Sequence, residues 1–318
     1  MAGAFVAIEG AEGFLPDSEG AASEGTVLGV RVTRAAQGGK GPRLSARLNQ
    51  DDQALIGTGA PALLRRGPNA VQRLAELFPE APVTVDDPAV VAQLRPSLGA
   101  RVSVGAGFDD AVETAVAALG EVDVALPWGA RLSVHPTPAL TAIDVDLAAA
   151  TADRRKKGAA QEAANRALLP DLARQIRHRN LGGAILVDLG GLSARRRAAL
   201  GGDVAAALAP DPLRPRFLGF TALGLAEILR PRIHPPLHEL LAGPHAAGLE
   251  ALRVVARQVA ARPGQAVALR AAPAVATALR NDGAAMADLA RRAGYTVMIR
   301  DDRALTPLGW ELEEARHG

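Results

Sequence analysis

The sequence predicts a mixed α/β protein of several domains. Three observations predict it: apolar residues alternating with period two mark short strands, apolar residues at helical spacing separate them, and 318 residues exceed the ~100 to 200 of one domain. Apolar residues make up 48% and aromatics only 3%, so Leu, Val, Ile and Ala must build the core.

Residues 3 to 48 read as short strands broken by glycine: Ala4 to Ile8, Gly13 to Pro16, Val27 to Thr33, a Gly38-Gly39-Lys40-Gly41-Pro42 turn, and Arg43 to Leu48. That spacing suggests part of a small barrel. A helix follows over Pro68 to Leu77, then a strand at Ala81 to Val85 and a helix begun by Pro88 and capped by Asp87. Next come a strand at Arg101 to Val104, a helix at Asp109 to Leu119, and two strands around the Trp128-Gly129-Ala130 turn. Leu140 to Asp146 alternates as a strand, and Gln161 to Arg179 reads as an amphipathic helix with Pro170 as a kink point. Ala184 to Val187 is a buried strand that delivers Asp188 at its C-terminal end, the edge where α/β sheets build sites. Helices are expected at Ser193 to Leu208 and Leu225 to Arg230, on either side of a strand at Arg216 to Phe220. The Pro-rich stretch from Pro231 to Pro244 marks a boundary, beyond which a small α/β unit alternates helices with strands at Ala266 to Leu269 and Tyr295 to Arg300.

Composition narrows the chemistry. No apolar run reaches the ~18 residues of a membrane span, and Glu9 and Glu12 near the start do not match a secretory signal, so a cytoplasmic protein is expected. The absence of Cys excludes disulfides, thiolate zinc sites and thiol nucleophiles. Residues 1 to 150 carry 11 Lys and Arg against 18 Asp and Glu, whereas residues 151 to 318 carry 25 against 16. The basic clusters, at Arg154-Arg155-Lys156-Lys157, Arg174/Arg177/Arg179, Arg195-Arg196-Arg197, Arg214/Arg216 and Arg230/Arg232, suit a surface that attracts a polyanion, and equally suit solvated faces of an arginine-rich chain.

Asp144 and Asp146 project from one face of their strand, about 7 Å apart at the usual rise. Two like charges in a buried strand are most simply offset by a metal ion or by Arg/Lys. If the strand ending in Asp188 is a neighbour, the carboxylates can share a hard, oxygen-loving ion, magnesium or manganese. The same residues also read as a solvated edge and the start of a turn. His234 and His238 stand four apart, but Pro235 and Pro236 break the helix a zinc pair would need. No P-loop, GxGxxG or GxSxG pattern is present.

Three unlike segments, Leu140-Thr141-Ala142-Ile143-Asp144-Val145-Asp146, Ala173-Arg174-Gln175-Ile176-Arg177-His178-Arg179-Asn180-Leu181-Gly182-Gly183 and Ala184-Ile185-Leu186-Val187-Asp188, resemble in order and spacing the RNase E/G family of endoribonucleases. Gly3-Ala4-Phe5-Val6, Gly13-Phe14-Leu15-Pro16 and Gly39-Lys40-Gly41 look like its OB-fold RNA-binding module. Leu223 to Glu227 and Arg230-Pro231-Arg232 match the segment after its catalytic core, and Ala272 onward is similar to its small C-terminal domain. The resemblance implies a partial OB-fold module at 1–50, a reduced RNase H-like, 5′-sensor-like region at 51–130, a DNase I-like α/β catalytic domain at 131–242 and a small C-terminal α/β domain at 243–318. It implies a magnesium-dependent endoribonuclease of single-stranded RNA in RNA processing or decay, with Asp144 and Asp188 as metal ligands and catalytic residues, and Asp146 beside them. Phe5 and Phe14 would stack on bases and Lys40 would contact phosphate. Arg174, Arg177 and Arg179 would bind RNA or form a solvated helix face.

The chain also departs from the family. Asp146 stands where the family has Asn, Gly190-Gly191 replace a second acidic residue, Asn165-Arg166-Ala167-Leu168 lack a Glu, and Ala222 replaces an Arg. Such losses around a metal commonly cost roughly 10- to 100-fold. Gly243 to Gly248 stand where the family has its zinc-link cysteines, so no zinc is expected; oligomerisation stays open but not through that link. The module begins at what corresponds to its second strand, leaving an unpaired edge, and the RNase H-like portion is nearly absent. Three readings follow: a nuclease, an RNA-binding relative that has lost turnover, and an α/β protein alike only in architecture.

Overall fold

In a computed structural model of the chain, which describes residues 2–147, 157–262 and 264–314, the protein is mixed α/β and forms two compact units, Met1–Pro235 and Pro236–Gly318. The Arg154 to Lys156 part of the first basic cluster lies outside the described residues.

In the first unit, β1 (Gly3–Ile8), β2 (Ala11–Pro16), β3 (Arg31–Arg34) and β4 (Arg43–Ser45) form a four-stranded sheet of order β1-β2-β4-β3. Leu15 and Leu44 are fully buried beneath it. Gly38 and Gly39, at φ of 59° and 70°, let Gln37 and Lys40 exchange two backbone hydrogen bonds of 3.1 Å, a tight turn that side chains with a Cβ resist. The short helix α1 (Gln50–Gln53) follows.

Next come α2 (Ala70–Leu77), β5 (Val83–Val85), α3 (Pro88–Leu98), β6 (Val102–Val104) and α4 (Asp110–Ala118). Their starts obey the capping rules: the side chains of Asn69, Asp87 and Asp109 accept from Gln72, Ala89 and Val112 backbone N–H groups at 2.9, 2.7 and 2.8 Å. The strands β5 and β6 pair in parallel over a small separate core of Val91, Leu94 and Val102.

The chain continues with β7 (Asp123–Ala125), β8 (Arg131–Pro136), β9 (Leu140–Asp146), α5 (Lys157–His178), β10 (Gly183–Leu189), α6 (Ala194–Ala199), α7 (Gly201–Leu208), β11 (Arg216–Phe220) and β12 (Ala226–Arg230), whose six strands form the largest sheet. Its order is β11-β12-β10-β9-β8-β7, with β9 and β10 parallel and every other pair antiparallel. A parallel pair needs a crossover, and α5 supplies it, continuing through Pro170. Leu132, Ile143, Val145, Ile185 and Val187 on one sheet face meet Leu168, Leu169, Leu172 and Ile176 of α5 and Val204 and Leu208 of α7. Fully burying each such side chain contributes about 1.5 to 3 kcal/mol, so the helix-covered face anchors the domain.

Two expected elements differ here. Leu225 to Arg230, read as a helix, is strand β12: Ala226, Ile228 and Arg230 are buried while Leu229 is exposed, a period of two that overrides the helix propensity of Ala, Glu, Leu and Arg. The single helix expected over Ser193 to Leu208 is two, α6 and α7, divided at Leu200.

The second unit contains α8 (Leu237–Leu241), α9 (Pro244–Ala261), β13 (Val267–Ala271), α10 (Pro273–Asn281), α11 (Gly283–Ala293), β14 (Ile299–Asp301) and β15 (Trp310–Glu314), in a sheet of order β14-β13-β15. Val255, Leu269, Val275 and Leu279 are its fully buried centre. Here β15 is an element absent from the sequence reading.

Candidate active site

The face of the six-stranded sheet opposite α5 and α7 is open to solvent. Along β9 the buried Thr141, Ile143 and Val145 alternate with exposed Ala142, Asp144 and Asp146; along β10 buried Ile185, Val187 and Leu189 alternate with exposed Ala184 and Asp188. In the parallel register Asp144 and Asp188 are direct partners. Adjacent strands lie about 4.8 Å apart and partners share a face, so the two carboxylates stand side by side at the C-terminal ends of two parallel strands.

The row continues outward, since Asp144 opposes Ser133 on β8 and Ser133 opposes Asp123 on β7. Ser133 Oγ donates to Asp123 Oδ1 at 2.5 Å. Arg131 lies 3.9 Å from Asp123 and 3.8 Å from Asp146, both pairs exposed. Neither Asp144 nor Asp188 receives a hydrogen bond or ion pair from a described residue. Like charges on neighbouring strands repel, and nothing among the described residues offsets this pair. Two free carboxylates at this spacing can accept a hard cation that keeps several waters and takes further ligands from a phosphate. No third carboxylate or imidazole joins them: among the described residues there is no group of three His, Asp or Glu arranged to hold a metal.

Directly beyond Asp188 no acid follows, and Gly190 and Gly191 pack closely there. A Cβ on Gly190 would lie 2.8 Å from Val145 O, and one on Gly191, at φ 76°, would lie 2.4 Å from the Gln161 amide nitrogen. The strand ends are closed instead by Asn165 of α5, buried, whose Nδ2 donates to Gly190 O at 3.2 Å and Gln161 O at 2.8 Å. One turn away, Glu162 accepts from Arg196 at 2.7 Å and Arg166 at 3.2 Å, and the Arg196 hydrogen bond holds its carboxyl below the ordinary range.

The other predicted residues are distributed over different surfaces. Phe5 is 70% exposed and its ring centre lies 5.5 Å from that of its cross-strand partner Phe14, at an interplanar angle of 58°. Lys40 is exposed at its turn. Arg174, exposed and paired with Asp171, and Arg177 lie on α5, behind the sheet that presents Asp144 and Asp188. Arg179 requires correction: it is buried, donating from Nε to Gln175 at 3.1 Å and from Nη2 to Ala118 O at 3.2 Å, so its guanidinium serves packing instead of an RNA-facing surface. The signal was in the sequence, because Arg179 continues the apolar stripe of Leu172 and Ile176.

No helix among the described residues is long and apolar enough to cross a membrane. Residues 97–233 match the Ribonuclease E/G family. The chain is 32% identical over 132 residues to the Ribonuclease E of Escherichia coli (strain K12), covering 40% of this chain and 12% of that protein. It is 35% identical over 121 residues to the Ribonuclease E of Nostoc sp., covering 37% and 17%. It is 29% identical over 186 residues to the Ribonuclease G of Escherichia coli (strain K12), covering 54% and 38%.

Proposed function

We propose that this chain, whose residues 97–233 are those of a Ribonuclease E/G family member, is an endoribonuclease that cleaves single-stranded RNA, leaving a 5′-phosphate and a 3′-hydroxyl, in RNA processing or decay. The observation that carries this reading is the in-register pair Asp144 and Asp188, exposed on one sheet face and without a counter-charge among the described residues. The same reading takes the six-stranded unit as the DNase I-like catalytic part and the four-stranded sheet as the partial OB-fold module.

Asp144 and Asp188 would hold a magnesium ion, with manganese the alternative; bound there, the ion supplies Lewis acidity toward a phosphodiester and lowers the pKa of a bound water. The tilted Phe5 and Phe14 rings offer a stacking platform for bases, with exposed Lys40 and half-buried Arg177 adding positive charge for phosphates. Asp146, where the family has Asn, adds negative charge that Arg131 partly offsets. The test is cleavage of an AU-rich single-stranded oligonucleotide with magnesium. Wild type should cleave, and Asp144→Asn and Asp188→Asn should each lose more than about 100-fold; equal cleavage by all three removes the assignment.

A second reading, an RNA-binding relative with weak or no turnover, is favoured by one observation: Gly190 and Gly191 stand where the family has its second acid, and a Cβ on Gly190 would press on Val145 O at 2.8 Å. It predicts RNA binding that falls with salt, without cleavage.

A further inference from the structure

At the other end of β10 from Asp188 lies a cavity of about 290 Å³ whose walls include Gly183, Arg214, Arg216, Arg230 and Arg232. Its four arginines fall into two kinds. Arg230 is buried and satisfied: Nε donates to Asp211 Oδ2 at 2.8 Å, and Nη1 donates to Asn180 Oδ1 at 2.8 Å and Leu181 O at 3.1 Å. That pair consumes Asp211, and among the described residues no carboxylate lines the cavity. Arg214 and Arg216 are exposed and find no partner among the described residues, while Arg232 donates only to a backbone carbonyl, Gly182 O, at 3.1 Å. Three guanidinium charges therefore share one concavity without an anion among the described residues.

Two backbone features hold them there. Arg214 sits at φ 51°, a left-handed conformation unfavourable to side chains other than glycine, within a turn fixed by Arg214 N–H to Asp211 O at 2.9 Å and Leu213 N–H to Asp211 Oδ1 at 2.9 Å. Strain of this kind persists only where the surroundings over-determine it, and it collects at ligand clamps. Arg232 lies flat on glycine: a Cβ on Gly183, at φ 86°, would be 2.3 Å from its Nε.

Arg216 opposes Leu229, and Leu229 opposes Ala184, the residue that shares the exposed face with Asp188 four positions on. The cavity thus opens beside the same sheet face, on the order of 16 Å from the carboxylates at the usual strand rise and spacing. We propose that Arg214, Arg216 and Arg232 form a phosphate-binding subsite that grips an internal phosphodiester of an RNA strand a few nucleotides from the Asp144/Asp188 pair. Guanidinium forks are suited to phosphate oxygens, and three of them fix the strand's register without reading its bases. The ligand rests on the RNA reading above, but the subsite does not depend on turnover.

The experiment measures binding of the full chain, with EDTA present, to a fluorescent single-stranded RNA of about twelve nucleotides bearing hydroxyls at both ends, and to one of about three nucleotides, over a salt series. Arg214→Gly removes a cation while relieving the backbone, so its fold is retained, and Arg216→Gln is a surface change. Together they should weaken the longer RNA on the order of tenfold and lower the salt slope by roughly 0.7 per lost contact, with little effect on the short one. Unchanged affinity and slope for the longer RNA, or no RNA binding by wild type, would overturn the subsite. Since no cleavage is required, loss of the nuclease reading alone would leave the expected binding deficit intact, whereas failure of the subsite alone would leave magnesium-dependent cleavage intact beside unaltered binding.

Discussion

Arg230 with Asp211, and Asp144 with Asp188, are two charged pairs against one sheet, and the fold treats them in opposite ways. The first lies on the helix-covered side, with side chains 4% and 1% exposed, and is closed by bidentate contact and two further acceptors. The second lies on the open face, like charges in register with no described partner. A buried charge must be neutralised by the protein itself, whereas an exposed pair of equal sign can await something from outside. The contrast therefore separates the charges that hold the fold from those that are free for a ligand.

The sharpest way to break this contrast is to exchange the consequences of mutation. Arg230→Ala should cost about 3 to 5 kcal/mol of unfolding free energy in denaturant titrations, because Asp211 is left buried and unpaired, and the double variant with Asp211→Ala should lose less than the two singles added. Asp144→Asn and Asp188→Asn should leave stability within about 1 kcal/mol, with any change stabilising, while removing cleavage. Intermediate in size is Gly190→Asp, designed to restore the absent acid. The close approach to Val145 O should destabilise it by about 1 to 3 kcal/mol without raising activity, read by denaturation and cleavage together.

How much of this was legible is instructive at particular residues. The strand limits Leu140 to Asp146, and Asp188 at the end of its strand, follow from period-two alternation, which burial of alternate residues enforces. The parallel register that makes Asp144 and Asp188 partners is not legible, because it depends on a crossover of many residues through α5. Strand β12 was hidden by residues that favour helices locally, and only the neighbours β10 and β11 decide otherwise. The arginine cavity gathers positions 183, 214, 216 and 232, whose clustering in sequence could show charge but not a common concavity.

Smaller effects sharpen the same division. Partial desolvation, with Arg177 and Arg174 nearby, holds the exposed His178 below its ordinary value, and partial desolvation with Arg73 does the same for His234. The unfolded chain therefore takes up protons first: stability is full above pH about 6.5 and declines as pH falls below it. Denaturation at several pH values should show this decline, and His178→Gln should lessen it. Smallest is Arg214→Gly, which should raise stability by up to about 1 kcal/mol by relieving a left-handed arginine, seen as a shifted denaturation midpoint.

The direct measurement is anomalous scattering from crystals of the full chain soaked in manganese. The account predicts a peak between the carboxylates of Asp144 and Asp188 that disappears in Asp188→Asn. A manganese peak elsewhere on the chain, with those two side chains bare, would contradict it.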